Sequence, residues 1–327
     1  MAAAIPVPPP EHQSFTAADR DALLGDICAF KLPPPLEAWR LNFLLIGPAG
    51  AGKSAIINSL HTAMHPRGVL SEVVEQGGGE EQLTRKFSKV LFRLLPKDIQ
   101  RLKAKRGVEV EAERGGVFHA PFCILDTMGW WSAGVLDTML INNMMSGRMM
   151  DGHPLSQDGH EEEQFMNPSP TPADKVHCMI AVIPASEYNT EEIRANMAQL
   201  VRKARAANIP LIVALTKVDA QFAPVKADAQ AIATCEAVHS CVCAVAATYS
   251  IKACNIVPLQ LYGENPRVKP GDPAIEIPLL NLVWKAACAS EDRLRQTVLR
   301  GEGVSPPSYQ RPQSESFGAK RAAQMEN

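Results

Sequence analysis

The segment Gly47-Pro48-Ala49-Gly50-Ala51-Gly52-Lys53-Ser54 matches the pattern GxxxxGK(S/T) in full. Glycines at this spacing let successive backbone N–H groups converge on phosphate oxygens. A helix opening near Lys53 would add the positive end of its dipole to the same place. The roles that follow are specific. Lys53 reaches the β and γ oxygens, Ser54 ligates Mg²⁺, and Gly47, Ala49, Gly50, Ala51, Gly52 and Ala55 line the nucleotide.

Two further constellations lie downstream. Phe122-Cys123-Ile124-Leu125 is an apolar run that ends in Asp126-Thr127-Met128-Gly129. A carboxylate at a strand end beside a phosphate loop can hold Mg²⁺, often through water. Gly129 allows its own N–H to approach a γ-phosphate, which makes it, with Lys53, a candidate catalytic group and a sensor of hydrolysis. The apolar run Leu211 to Leu215 leads into Thr216-Lys217-Val218-Asp219. Asp219 can accept hydrogen bonds from N1–H and the 2-amino group of guanine while the Lys217 stem covers the ring. Adenine would set a lone pair against that carboxylate. At about 1.5–3 kcal/mol per charged hydrogen bond, several kcal/mol of discrimination follows. The expected ligands are therefore GTP or GDP with Mg²⁺. A fourth, base-contacting loop should follow the last strand: Tyr262-Gly263-Glu264 occupies that place, and Ser250-Ile251-Lys252 is the other candidate.

These groups need a frame, and the chain supplies alternating strands and helices. Leu41 to Ile46, Leu83 to Leu95, Phe122 to Leu125, Val176 to Ile183, Leu211 to Leu215 and Ile256 to Leu261 read as strands. Helices are expected at Ser54 to Met64, Ala133 to Met145, Thr190 to Ala207, Ala227 to Ala247 and Leu279 to Leu299. A further helix should begin at Thr16, where Thr16 and Asp19 suit a capping box and Leu23, Leu24, Ile27 and Phe30 share a face. The methionines of the second helix read as core or as a partner groove. Strands alternating with helices this long imply a three-layer α/β fold with a mainly parallel sheet covered on both faces. The phosphate loop and the Asp126 and Asp219 motifs set on that frame make the expected class a P-loop NTPase of the G-domain type.

Length and composition bound the rest. A chain of 327 residues gives a prior of about two domains, but no repeat or boundary divides it. The expected organisation is a Pro-rich leader at 1–15, one domain over 16–300 with an acidic, Pro-rich surface insertion at 151–174, and a polar tail at 301–327. With 46% hydrophobic residues the chain can bury a sizeable core. A net charge of -2 gives no field to hold nucleic acid or an anionic membrane. No apolar run is long enough to span a bilayer, and the start lacks the basic and apolar blocks of a signal peptide. The eight cysteines form no CxxC pair, so reduced thiols and a cytoplasmic location are expected. Cys235, Cys241 and Cys243 cluster around His239 without a standard zinc spacing. Lys97 to Arg106 is basic and reads as a solvated face.

Taken in order, the three motifs resemble those of P-loop GTPases related to Ras. Trp39 through Leu60, Val176-His177-Cys178, Ala214 to Asp219, Cys235-Glu236 and Trp284-Lys285-Ala286-Ala287 together resemble the GTPase-like region of the interferon-induced protein 44 family. The likeness covers roughly Asp26 to Arg295, and the chain has no room for the TLDc domain that members often carry. It implies GTP contacts at Gly47, Gly52, Lys53, Ser54, Asp126, Gly129 and Asp219, and a cytosolic protein with poorly defined catalysis. Where that family has a Thr-rich segment, this chain has Gln76-Gly77-Gly78-Gly79-Glu80-Glu81. The Mg²⁺-ligating threonine is then Thr84, with Ser71 in reserve. Ras-like enzymes place Gln after Asp-x-x-Gly, whereas Trp130 and Trp131 stand here, as core packing or as an apolar switch. Ala49 replaces the glycine that lets an arginine finger fit.

Slow GTP hydrolysis, dependent on a second copy or an activating protein, is the resulting expectation. A GTP-binding scaffold with negligible turnover, or an ATP-dependent kinase or ATPase, are the competing readings.

Overall fold

A computed structural model describes residues 15–37, 39–65, 73–74, 86–94, 96, 98–100, 118–127, 129, 138–155, 163–263 and 269–300. The leader over 1–14 and the tail over 301–327 lie outside the described residues, as do Ser71, the 76–81 segment, Thr84, Lys97, 101–106, Trp130 and Trp131.

The chain opens with α1 (Ala17–Ala29), whose capping box is formed: Thr16 Oγ1 accepts from Asp19 N, and Asp19 accepts from Thr16 N. There follow β1 (Leu41–Ile46), α2 (Lys53–Met64), β2 (Ser88–Leu94) and β3 (Phe118–Asp126). Next come α3 (Thr138–Met145), β4 (Cys178–Pro184), α4 (Glu191–Ala206) and β5 (Leu211–Thr216). After three short helical segments the chain forms α5 (Glu236–Tyr249), β6 (Ile256–Pro258) and α6 (Pro273–Leu299).

The strands make one sheet in the order β2-β3-β1-β4-β5-β6. All pairings are parallel except β2 with β3, so the expected mainly parallel sheet is present with one antiparallel edge. Alternating side chains of the central strands feed two cores. Leu41, Phe43 and Leu45 pack with α1, α2 and α6 on one face; Leu44 and Ile46 pack with α3, α4 and α5 on the other. The chain leaves β1 towards β3 and returns to β4 on the opposite side. The crevice above the carboxyl ends of β1 and β4 is thus the switch point where ligands sit in such folds.

Several boundaries differ from the sequence reading. The helix expected over Ala227 to Ala247 starts only at Glu236, because Asp228 and Cys235 adopt extended backbone and break the run. The last strand stops at Pro258 rather than Leu261, after which Leu259 N–H still donates to the Leu215 carbonyl of β5 at 2.7 Å before the chain leaves the sheet. The closing helix begins six residues earlier than Leu279. Asp272 caps it by accepting from Ala274 N at 2.9 Å, and Pro273 suits the first helical position. Pro278 inside it forfeits one intrahelical bond. In the expected insertion, His153 and Leu155 are buried, and bridges join Lys86 to Pro154 and Met149 to Met166. Met144, Met145 and Met149 are core, while Met139 and Met150 are exposed.

Candidate functional site

The site is built at the carboxyl ends of β3, β1 and β5, with β4 standing between the last two. β1 runs straight into the loop 47–52, and Gly52 caps α2 with φ +98, a backbone conformation that favours glycine. Gly47 is pressed against β4: a Cβ there would lie 2.2 Å from the Val182 carbonyl oxygen. Pro48 and Ala51 are buried, while Ala49 and Gly50 face outward at the loop's apex. Ser54 and Ala55 follow, half-buried, in the first turn of α2.

Lys53 is almost wholly buried. Its Nζ donates to the carbonyls of Gly47 and Pro48, both at 2.9 Å, so the ammonium is folded back under the loop it belongs to. Burial lowers its pKa to about 8, and the charge of Asp126 pulls the other way. At neutral pH the group remains a cation beneath the loop.

Asp126 ends β3 in register with Leu45 of β1 and is 2% exposed. Burial pushes its carboxyl up to about 6, against the pull of Lys53 and the Thr127 backbone N–H. Its Oδ1 is buried with no hydrogen-bond partner. A buried orphaned carboxylate oxygen is costly unless something satisfies it, and a divalent cation is a fitting partner. The donor set therefore fits Mg²⁺, with Asp126 and Ser54 as the residues at hand. Thr127 is held apart from this, its hydroxyl donating to the Leu45 carbonyl at 2.8 Å. Gly129 closes over the phosphate loop: a Cβ there would stand 2.5 Å from Ala49 N. Only glycine lets the two loops come so near.

The third strand is tied to the first. Thr216, fully buried at the end of β5, donates from its hydroxyl to the Ala51 carbonyl at 2.6 Å. Lys217 then takes the left-handed conformation, φ 58, which turns the chain into a short helix, Val218–Gln221, with Asp219 in its first turn. Lys217 is exposed and Asp219 half-buried, so both side chains remain available beside the phosphate loop.

The loop after β6 is arranged differently from a simple base contact. Leu261 packs on the phosphate loop, its Cδ1 3.2 Å from where a Gly52 Cβ would be. Tyr262 turns inward: its N–H donates to Ser59 Oγ at 3.1 Å and its hydroxyl donates to Glu276 Oε1 at 3.0 Å. The side chain is engaged in the core and the N–H in the bond to Ser59, so the expected base contact through the Tyr262 side chain is not what the structure shows. Ser250-Ile251-Lys252 leads into the amino end of β6, opposite the carboxyl ends of the strands, and Arg205 holds the Ser250 carbonyl there; it is removed from this site.

Asn58 is a residue that motif reasoning did not single out. Its amide accepts from Val73 N and Val74 N and donates to the Val74 carbonyl, tethering the stretch after α2 to that helix. Only a buried asparagine within α2 carries this, and nothing in its sequence neighbourhood marks it out. Among the described residues no group of three or more His, Cys, Asp or Glu side chains can hold a metal, so the cysteines near His239 form no such centre. Cys28, Cys123 and Cys178 are buried, and Cys243 and Cys254 are exposed. No helix among the described residues is long and apolar enough to cross a membrane.

No protein-family model and no curated protein matches the chain. Solved structures of similar outline include a dimerisation-deficient mutant of Toc33 from Arabidopsis thaliana. It is 14% identical, with a TM-score of 0.47, 86% of this chain covered and 98% of that one. Toc33 with Mg²⁺ and GMPPNP is 16% identical, at a TM-score of 0.42 and coverages of 86% and 95%. A probable GTP-binding protein, engB, is 13% identical, at 0.38, with coverages of 76% and 98%. Likenesses this distant carry neither fold nor function; both rest on the geometry above.

Proposed function

We propose that the chain binds guanine nucleotides with Mg²⁺ and hydrolyses GTP slowly, as a switch or scaffold. The observation that carries this reading is the meeting of three strand ends: the loop over Lys53, the orphaned carboxylate of Asp126, and Asp219 linked to the phosphate loop through Thr216. In the proposed complex the loop N–H groups and Lys53 neutralise the triphosphate, as phosphoryl transfer requires. Mg²⁺, when bound, would supply charge stabilisation at the β and γ oxygens. Gly129 N–H reports the γ-phosphate, and Asp219 reads the guanine edge.

Hydrolysis is slow in this reading because Trp130, which follows Gly129 in the sequence, offers no acceptor to orient water. Faster turnover then requires a group from a second copy or an activating protein. A cytoplasmic location and a place beside the interferon-induced protein 44 family belong to the same proposal, supported by the composition and by the segments around Trp39, His177 and Trp284. Competition of unlabelled GTP, GDP and ATP against a fluorescent guanine nucleotide, with and without Mg²⁺, tests the binding reading. Equal competition by ATP would overturn it in favour of an adenine-nucleotide enzyme.

A further inference from the structure

Helix α1 lies outside the phosphate and base motifs, yet it reaches the site through a buried polar chain. Arg20 on α1 is 5% exposed, and its Nη1 stands 3.4 Å from Oε2 of Glu276, the fourth residue of α6. Its Nε lies 3.1 Å from Asp21 Oδ1. Glu276 is fully buried. Its Oε1 accepts from the Tyr262 hydroxyl at 3.0 Å and from Gly271 N at 3.1 Å. The same hydroxyl accepts from Gly271 N at 3.0 Å and Asp272 N at 3.2 Å, so the Tyr262 hydroxyl is held by three partners. Tyr262 N–H is meanwhile fixed to Ser59 of α2, and Leu261 rests on Gly52.

A carboxylate buried this deeply is retained at a cost, and apolar packing would hold the helices together at less expense. What the charged chain adds is direction: it fixes one rotamer of Tyr262, and with it the path of the loop 259–263 over the site. Accepting the guanine-nucleotide reading, we propose that Arg20 and Glu276, acting through Tyr262, are positioning residues for the base-contacting loop, so that α1 sets how fast the guanine base is released.

The test uses the full chain and separates the base end of the ligand from its phosphate end. Dissociation of fluorescent GDP is measured for the wild type, Tyr262→Phe, Arg20→Met and Arg20→Lys, and inorganic pyrophosphate is titrated as a phosphate-only competitor. Tyr262→Phe and Arg20→Met should each release GDP about tenfold faster. Their pyrophosphate affinity should stay unchanged, Arg20→Lys should recover most of the loss, and the Arg20→Met/Tyr262→Phe double variant should be no faster than either single one. Reciprocity adds a readout that needs no variant: GDP should slow amide exchange in Ala17–Ala29 of the wild type, and pyrophosphate should not. GDP release within twofold of wild type, a parallel loss of pyrophosphate affinity, or unchanged exchange in α1 would overturn the inference while leaving nucleotide binding intact. A wild type that binds pyrophosphate but no guanine nucleotide would overturn the reading of function on which it rests.

Discussion

Thr216→Val is the substitution whose consequence the structure specifies most fully. The side chain is completely buried, and valine keeps its shape while deleting the hydroxyl that donates to the Ala51 carbonyl at 2.6 Å. The secondary contact to the Ile183 carbonyl, at 3.3 Å, is lost with it. A neutral hydrogen bond contributes about 1 kcal/mol net, and leaving a buried carbonyl unsatisfied costs about 1–3 kcal/mol. The nucleotide-free protein should therefore lose about 2 kcal/mol in denaturant unfolding. The bond also joins the base-reading strand to the phosphate loop, and losing about 1.4 kcal/mol of that ordering from the bound state weakens GDP about tenfold. Thr216→Ser retains the hydroxyl and should restore most of both quantities. A Thr216→Val protein that unfolds at the wild-type denaturant concentration and binds GDP as tightly would refute the idea that this hydroxyl couples the two halves of the site.

The other expectations are narrower. Asp126→Asn should abolish the dependence of nucleotide affinity on Mg²⁺ while Mg²⁺-free binding persists, as seen in titrations at high and zero Mg²⁺. Phosphate release from GTP under single-turnover conditions should be slow at low protein concentration and rise with it; a fast, concentration-independent rate would contradict the role given to Trp130. Burial, partly offset by Arg20 and by hydrogen bonds from Tyr262 and Gly271, raises the Glu276 carboxyl from 4.5 to about 6, with Asp272 adding to the rise. Arg20 and Asp21 of α1, Tyr262 of the loop and Asp272 at the helix cap are the ionisable groups around it. A folded-state pKa above the unfolded one gives stability that is complete below about 4.5 and lost as pH rises through about 6, an effect of about 2 kcal/mol. Asp126 titrates in the same window, so the comparison of wild type with Glu276→Gln in thermal melts isolates Glu276: the variant should show a shallower fall.

The phosphate loop was legible because its chemistry constrains several residues at once. Gly47, Gly52 and Lys53 each answer a distinct demand: close approach to Val182, a left-handed cap, and a cation under the loop. Asp126 and Thr216 were legible through their position at the ends of apolar strands. The capping box at Thr16 and Asp19 was equally local and formed as expected. What the sequence hid depends on distant partners. Nothing near Tyr262 in sequence reveals that its hydroxyl belongs to Glu276 and, behind it, to Arg20, more than 240 residues away in the chain. The antiparallel direction of β2 is set by pairing with β3, not by its own pattern. The closing helix expected over Leu279 to Leu299 extends back through Pro278 to the cap at Asp272, a start that the apolar stripe alone does not mark.

Isothermal titration of the purified chain with GDP and with ADP, each in Mg²⁺ and repeated on Asp219→Ala, confronts the core proposition most directly. Strong heat with GDP, little with ADP, and collapse of that difference in the variant are the predicted results. Indistinguishable heats for the two nucleotides in the wild type, or none with GDP, would contradict it.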